Sequence, residues 1–405
     1  MNLSGLLPLI DRIPGYRKLV QHLAGDGSNS PPTPNTLFLG VLQAARSYLL
    51  AALQRDSRKL MLVIAAQPER ARQLHEQLRQ WSLAPENVHY FPAPESLFYD
   101  KIAWPMETVH QRIAVLSMLA KPELLSCSAK IDDARAPQEM CIIVTSAFAL
   151  LPKTVPPWCL GQSIRELRVH QTLDLNGFLS ALLRDGYQPA SVVEEKGFFS
   201  RRGGIIDIFA PNQPYPIRLE LFGDEIESLR FFDPGTQRTL SNLERVTLCP
   251  ASEALPAYGS TAVESLQRMD PASLQAMSRQ RWQQDMESLE YGEAFRGIEF
   301  YLPCLYPEAA SLLTYLPPAS LVILDDRGAL EDTARSLIQQ AESSRAELID
   351  EGMLPASYPV PYFSWEKLAA DMDAHRGLAL SYQQAGDLRP YDMDCFVPVD
   401  SYGGQ

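Results

Sequence analysis

Three uninterrupted apolar runs constrain the fold of this chain more than any other feature of its sequence. They are Leu60-Met61-Leu62-Val63-Ile64-Ala65, Cys141-Ile142-Ile143-Val144-Thr145 and Leu321-Val322-Ile323-Leu324. Each has the length of a strand and no polar alternation, so both of its faces must be covered, which places it inside a parallel sheet with helices on either side. Two further short runs read as strands, Thr36-Leu37-Phe38-Leu39 ending at Gly40, and Val88-His89-Tyr90-Phe91. Helical spacing fills the gaps: Leu42, Leu49, Leu50 and Leu53 after the first strand, Ala71, Leu74, Leu78 and Trp81 after the second, and Val109, Ile113, Leu116 and Leu119 before the Cys141 run. Strands alternating with helices predict an α/β fold around a parallel, doubly wound sheet.

The pattern changes near residue 157, where Pro152, Pro156 and Pro157 punctuate the chain. A helix is expected over 172–186. Beyond it, Ile217, Leu219 and Leu221 alternate with Arg218, Glu220 and Phe222, and Ile226, Leu229 and Phe231-Phe232 follow across Gly223-Asp224. That is a hairpin, so residues 158–250 read as a small α+β domain with an antiparallel sheet. The first pattern then returns, with a long polar helix over 261–291, the strand at 320–326 and a helix over 328–342. The simplest topology is one sheet domain, residues 1–157 and 251–352, interrupted by an inserted domain. Residues 353–405 carry Pro355, Pro359, Pro361, Pro390 and Pro398 and read as a linker or the truncated start of a further domain. Gly27–Asn35 reads as a flexible loop.

Charge and cysteine usage exclude several functions. Residues 1–157 hold 16 Lys/Arg against 13 Asp/Glu, residues 158–250 hold 10 against 12, and residues 251–405 hold 10 against 24. A protein that grips a duplex needs a basic face. Only the first segment leans that way, with Arg55, Arg58 and Lys59 as its candidate contacts, so strong nucleic-acid binding is not expected. Cys127, Cys141, Cys159, Cys249, Cys304 and Cys395 are widely scattered, as are the six histidines, so neither a metal site nor a redox motif is expected. His110 and His170 read as structural or solvated, and Asp224, Glu225 and Glu227 as a solvated hairpin tip. No run has the length of a membrane span and residues 1–30 lack the order of a signal peptide, which points to the cytoplasm.

The segment after the first strand reads Gly40-Val41-Leu42-Gln43-Ala44-Ala45-Arg46-Ser47. Its spacing is that of a phosphate loop, G-x-x-x-x-G-K-[ST], with Gly40 and Ser47 in place. Ala45 stands where the second glycine lets backbone amides wrap a phosphate. Arg46 stands where a compact lysine charge reaches the outer phosphates, a task its broad fork does not share. Downstream, Asp325-Asp326 replaces the Asp-Glu that would end the matching strand of a motor. Asp325 retains the capacity to hold magnesium through water, whereas Asp326 is a methylene short of the glutamate that would polarise water. The expectation is a fold that neither hydrolyses nucleotide nor uses a cofactor.

Residues 197–240 (Gly-Phe-Phe-Ser-Arg-Arg-Gly-Gly-Ile-Ile-Asp-Ile-Phe, then Arg-Leu-Glu-Leu-Phe-Gly-Asp-Glu-Ile-Glu-Ser-Leu-Arg-Phe-Phe-Asp, then Gln-Arg-Thr-Leu) resemble the UvrA-binding domain shared by the repair helicase UvrB and the transcription-repair coupling factors. The damaged loop at 40–47, Gly297-Ile298-Glu299-Phe300-Tyr301 and the run 311–317 fall where a UvrB-like sheet domain would have them. UvrB also carries an aromatic hairpin for damaged DNA, and Phe91–Asp100 leaves no room for it. The resemblance is therefore to the amino-terminal module of transcription-repair coupling factors, with a divergent UvrB-type ATP-dependent helicase as the alternative. It implies a non-catalytic adaptor that recruits UvrA to stalled RNA polymerase. It further implies that contacts to RNA polymerase and DNA, and the ATP-driven translocase, belong to a C-terminal part outside these residues, so the chain reads as a fragment.

The same resemblance assigns a docking surface. Arg202 matches the arginine directly before glycine in the family motif. Arg201, Gly203, Phe199 and Phe209 complete the expected site, the arginines as bidentate partners for carboxylates, the glycine as a point of close approach and the phenylalanines as aromatic anchors. The chain departs from the UvrB pattern at Ser200, where UvrB has its other arginine, and at Gln188-Pro189, where a further arginine is lost.

Overall fold

The computed structural model describes residues 2–24, 35–96, 98–121 and 141–381; Gly27–Pro34 of the expected loop, Leu97, Cys127, Cys395 and the stretch from 382 lie outside them. The predicted α/β architecture holds. Six strands, β1 (Thr36–Gly40), β2 (Met61–Ala65), β3 (Val88–Tyr90), β4 (Ile142–Ser146), β13 (Leu321–Asp325) and β14 (Arg376–Ser381), form one sheet in the order β1-β14-β13-β2-β4-β3. All of its pairings are parallel. The helices α1 (Pro14–Ala24), α2 (Gln43–Ser57), α3 (Pro68–Trp81) and α4 (Met106–Ala120) supply much of its cover.

The apolar runs explain themselves once the two faces are separated. Leu62, Ile64, Ile143, Val322 and Leu324 point into one core, while Met61, Val63, Ile142, Val144, Leu321 and Ile323 point into the other. Every residue of β2 is fully buried. Burying a large aliphatic side chain stabilises by about 1.5–3 kcal/mol, so a single polar substitution in this strand is costly on either face.

Residues 165–248 form a second unit with its own core, which includes Leu167, Phe178, Tyr187, Ile206, Ile208, Leu219 and Leu229. Its main sheet has the order β11-β10-β9-β8-β7-β6, with β6 (Gln188–Pro189), β7 (Phe198–Arg202), β8 (Ile205–Ile208), β9 (Ile217–Phe222), β10 (Glu225–Phe232) and β11 (Thr239–Leu243). Pairing is antiparallel from β7 to β11, and the hairpin at Gly223-Asp224 forms as expected, with Phe222 opposite Glu225. A ribbon of β5 (Arg165–Arg168) and β12 (Arg245–Leu248) closes the unit beside the points where the chain enters and leaves it.

Two expectations change. The long helix over 261–291 is two helices, Gly259–Gln267 and Ala276–Glu290, because Pro271 follows Asp270, whose side chain accepts from the Ala272 amide. Residues 353–381 are not a linker. After the helix Trp365–Asp373 the chain enters the parallel sheet as β14, between β1 and β13. Gly377 makes that fit possible, since a Cβ there would lie 1.9 Å from the Val322 carbonyl oxygen.

Candidate functional site: a buried arginine–aspartate clasp and a two-hairpin sheet end

At the C-terminal end of β1 the chain turns at Val41 and Leu42, and α2 begins at Gln43. Ala45, Arg46 and Ser47 are therefore helical, and the Ala45 amide donates to the Leu42 carbonyl at 2.9 Å. No loop is left to wrap a phosphate. Arg46 is 5% exposed. Its Nε donates to the Val41 carbonyl at 3.3 Å and its Nη1 to Asp325 Oδ1 at 2.6 Å. Arg70 of α3 takes the second oxygen, Nε to Asp325 Oδ2 at 2.7 Å.

The two positions that a motor would give to its lysine and its magnesium-binding carboxylate are thus joined to each other. Asp325, expected to be free to hold magnesium, is clasped between two guanidinium groups, a charge-assisted arrangement that satisfies both of its oxygens. Asp326 has another task as well. It caps the helix Arg327–Asp350, accepting from the Ala329 amide at 3.1 Å with its own backbone at φ 81. Beside this clasp lies a cleft of about 750 Å³, bordered by Phe38, Leu42, Gln67, Arg327 and Ser381.

The basic candidates for nucleic-acid contact are largely engaged. Arg55 pairs with Asp11 and Asp56, and Lys59 donates to the Leu23 carbonyl at 2.8 Å, at the end of α1.

The second site is the end of the inserted sheet. Strands β7 and β8 turn at Gly203-Gly204, and β9 and β10 turn at Gly223-Asp224. Because β8 and β9 are antiparallel neighbours, with the Leu221 amide donating to the Gly204 carbonyl at 2.9 Å, both turns lie at one end of the sheet. Gly203 has φ 63, a conformation that favours glycine, and nothing lies within 4 Å of its missing Cβ. Arg201 and Arg202 are exposed, and Arg202 Nη2 donates to the Ser191 carbonyl at 2.8 Å.

Phe199 and Phe209, expected as aromatic anchors, are 6% and 8% exposed. Phe199 packs into the unit's core and Phe209 is buried outside that core, with Lys196 Nζ 5.8 Å from its ring centroid, so neither is available to a partner. The exposed aromatic at this end is Phe222, at 79%, with Ile205 at 37%. Its signal was present in the sequence: with Ile217, Leu219 and Leu221 turned to the core, the alternation puts Phe222 in the polar phase beside Arg218 and Glu220. Those two are neutralised within the sheet, Arg218 by a two-toothed pair with Asp207 (2.6 and 2.8 Å) and Glu220 by Arg230 and the Ser228 hydroxyl.

Buried polar groups fix the segment by which the chain returns from this unit to the parallel-sheet part. Arg112 of α4 is fully buried and donates to the Glu253 carboxylate and, at 3.0 Å, to the Pro92 carbonyl. The Thr154 hydroxyl donates to the same carboxylate, and the Tyr306 hydroxyl to the Glu253 carbonyl at 2.8 Å. His110, two residues earlier on α4, abuts Gly197, where a Cβ would come within 2.8 Å of its Nε2. Burial, and then the charge of Lys196, push its pKa down to about 4. Burial lifts the thiols of Cys141, Cys249 and Cys304 into the range of about 11 to about 12, which leaves them unreactive.

Comparison with known proteins adds to this geometry. Residues 166–253 match the family described as the UvrB interaction domain. The chain is 30% identical over 321 residues to the transcription-repair-coupling factor of Myxococcus xanthus, covering 75% of this chain and 25% of that protein. It is 26% identical over 348 residues to that of Bacillus subtilis (83% and 28%) and 29% identical over 342 residues to that of Mycobacterium bovis (83% and 26%). It spans about a quarter of the length of these relatives.

Proposed function

We propose that this chain, which carries a UvrB interaction domain and is similar along most of its length to transcription-repair coupling factors, is a non-catalytic docking module that recruits UvrA in transcription-coupled repair. One observation carries the reading. The matched domain is a self-contained sheet whose two hairpin turns face outward together and present the Arg201-Arg202-Gly203 tip to solvent. Guanidinium groups on a rigid hairpin suit pairing with carboxylates on a partner surface, and Gly203 lets that partner's backbone come close.

The absence of catalysis is part of the same reading. The Arg46–Asp325–Arg70 clasp supports it, because the carboxylate that would hold magnesium is committed to two cations.

The test is a binding titration of labelled chain with purified UvrA, with and without ATP. The parent chain should bind saturably. Arg202→Glu should abolish capture while its melting temperature stays that of the parent, since the side chain is exposed. Undiminished binding by Arg202→Glu would remove this hairpin from the interface.

A further inference from the structure

The docking end has an order in its chemistry that the arginines alone do not explain. Across the outward face run Arg202, Ile205 and Glu220, each directly opposite the next on β7, β8 and β9, and Phe222 lies two residues beyond Glu220 on that same face. Diagonal neighbours on a sheet face lie about 7–8 Å apart, within reach of an aromatic ring, so Phe222 and Ile205 form one apolar spot between the two tips. Val192 (40% exposed) follows Ser191, whose carbonyl accepts from Arg202. One tip is basic, with Arg201 and Arg202. The other is acidic, with Asp224 and Glu225 exposed and Glu225 paired to His170 at 2.8 Å. The ion pairs behind them, Arg218–Asp207 and Arg230–Glu220, are satisfied internally and add no net charge.

A phenylalanine four-fifths exposed at the end of a short strand is a standing cost in water. Its neighbours do not cover it, although the sheet offers a buried face one residue away at Leu221. Exposed aromatics flanked by arginine are the residue types that dominate binding energy when a partner desolvates them.

We infer that Phe222, with Ile205, is the apolar anchor of the docking end, and that the UvrA surface meeting it presents an apolar pocket flanked by a carboxylate facing Arg201 and Arg202. This rests on the UvrA reading above and replaces the two buried phenylalanines with an exposed one. Charge fixes the register, since the partner's acidic group meets the basic tip, while burial of the ring supplies the salt-insensitive share of affinity.

The experiment compares Phe222→Ala, Arg202→Glu and, as an exposed apolar control remote in the fold, Leu83→Ala in the titration with purified UvrA at low and high salt. Leu83 is 64% exposed on the connection after α3. Phe222→Ala should weaken binding about 30-fold, the size of an interface hot spot, and by the same factor at both salt concentrations. The effect of Arg202→Glu should shrink in high salt, where the screening length falls to a few ångströms. Leu83→Ala should bind as the parent does. If Phe222→Ala stays within twofold of the parent while Arg202→Glu fails to bind, the anchor is refuted and the docking reading stands. If neither variant loses affinity, the docking reading falls and the anchor with it.

Discussion

Replacing Asp325 by alanine tests whether the old nucleotide loop is a closed structural clasp. In the folded chain the Asp325 carboxylate accepts from Arg46 at 2.6 Å and Arg70 at 2.7 Å, and the side-chain exposures are 2%, 6% and 15% respectively. Truncation leaves Arg46 charged and buried, with only the longer bond to the Val41 carbonyl, whereas Arg70 can swing toward water. Removing one partner of a buried pair costs about 3–5 kcal/mol, and the partial freedom of Arg70 favours the lower end. For a unit of this size about 3 kcal/mol corresponds to a fall in melting temperature of about 6–12 °C. Urea and thermal unfolding followed by circular dichroism measure both quantities.

The double variant Arg46→Met with Asp325→Leu removes both charges and should recover to within about 1 kcal/mol of the parent, as apolar replacement of a buried ion pair usually does. The opposite hypothesis, a carboxylate held in readiness for magnesium, makes different forecasts. Asp325→Ala would then be neutral or stabilising. Saturating magnesium–ATP would also raise the melting temperature of the parent, by about 2.7 kcal/mol in stability at a hundredfold excess over Kd. Either result would refute the clasp.

Two further outcomes are expected. Gly377→Ala forces a Cβ to within 1.9 Å of the Val322 carbonyl between two paired central strands, so it should cost at least about 3 kcal/mol or prevent folding; Gly203→Ala, with open space but φ 63, should cost only about 1 kcal/mol, and equal melting temperatures for the two would contradict the placement of β14. Burial depresses both His89 and His110 to about 4, so the unfolded chain binds more protons than the folded chain below the ordinary value of 6.5, and stability should decline as pH falls from 6.5 toward 4. Each contributes at most about 2 kcal/mol of that loss by pH 5, and a pH slope unchanged in the double variant His89→Gln, His110→Gln, measured by urea unfolding, would exclude them as its source.

Much of the fold was legible because burial on both sides of a strand leaves no choice of residue. The runs at 60–65, 141–145 and 321–324 required it, and the alternation at 217–222 required one covered face. β14 is not legible in the sequence, for a physical reason. Its apolar core is only Leu378-Ala379-Leu380, too short to separate from the proline-rich stretch before it, and its main peculiarity, Gly377, has meaning only against Val322. The helix break at Pro271 was written in the sequence, but helical composition on both sides outweighed it.

The sequence by itself determined the layered α/β class, the inserted antiparallel sheet with its arginine–glycine turn, and the loss of the glycine and lysine that a phosphate loop requires. These follow from local rules: periodicity, turn chemistry and backbone reach. Tertiary structure alone decided that Arg46 would grip Asp325, 279 residues away, that Phe199 and Phe209 would be buried while Phe222 stands in water, and that Arg112 would be sealed against Glu253. Periodicity tells which residues share a face. It does not tell what that face meets, because the neighbour comes from another part of the chain and is selected by the packing of the whole.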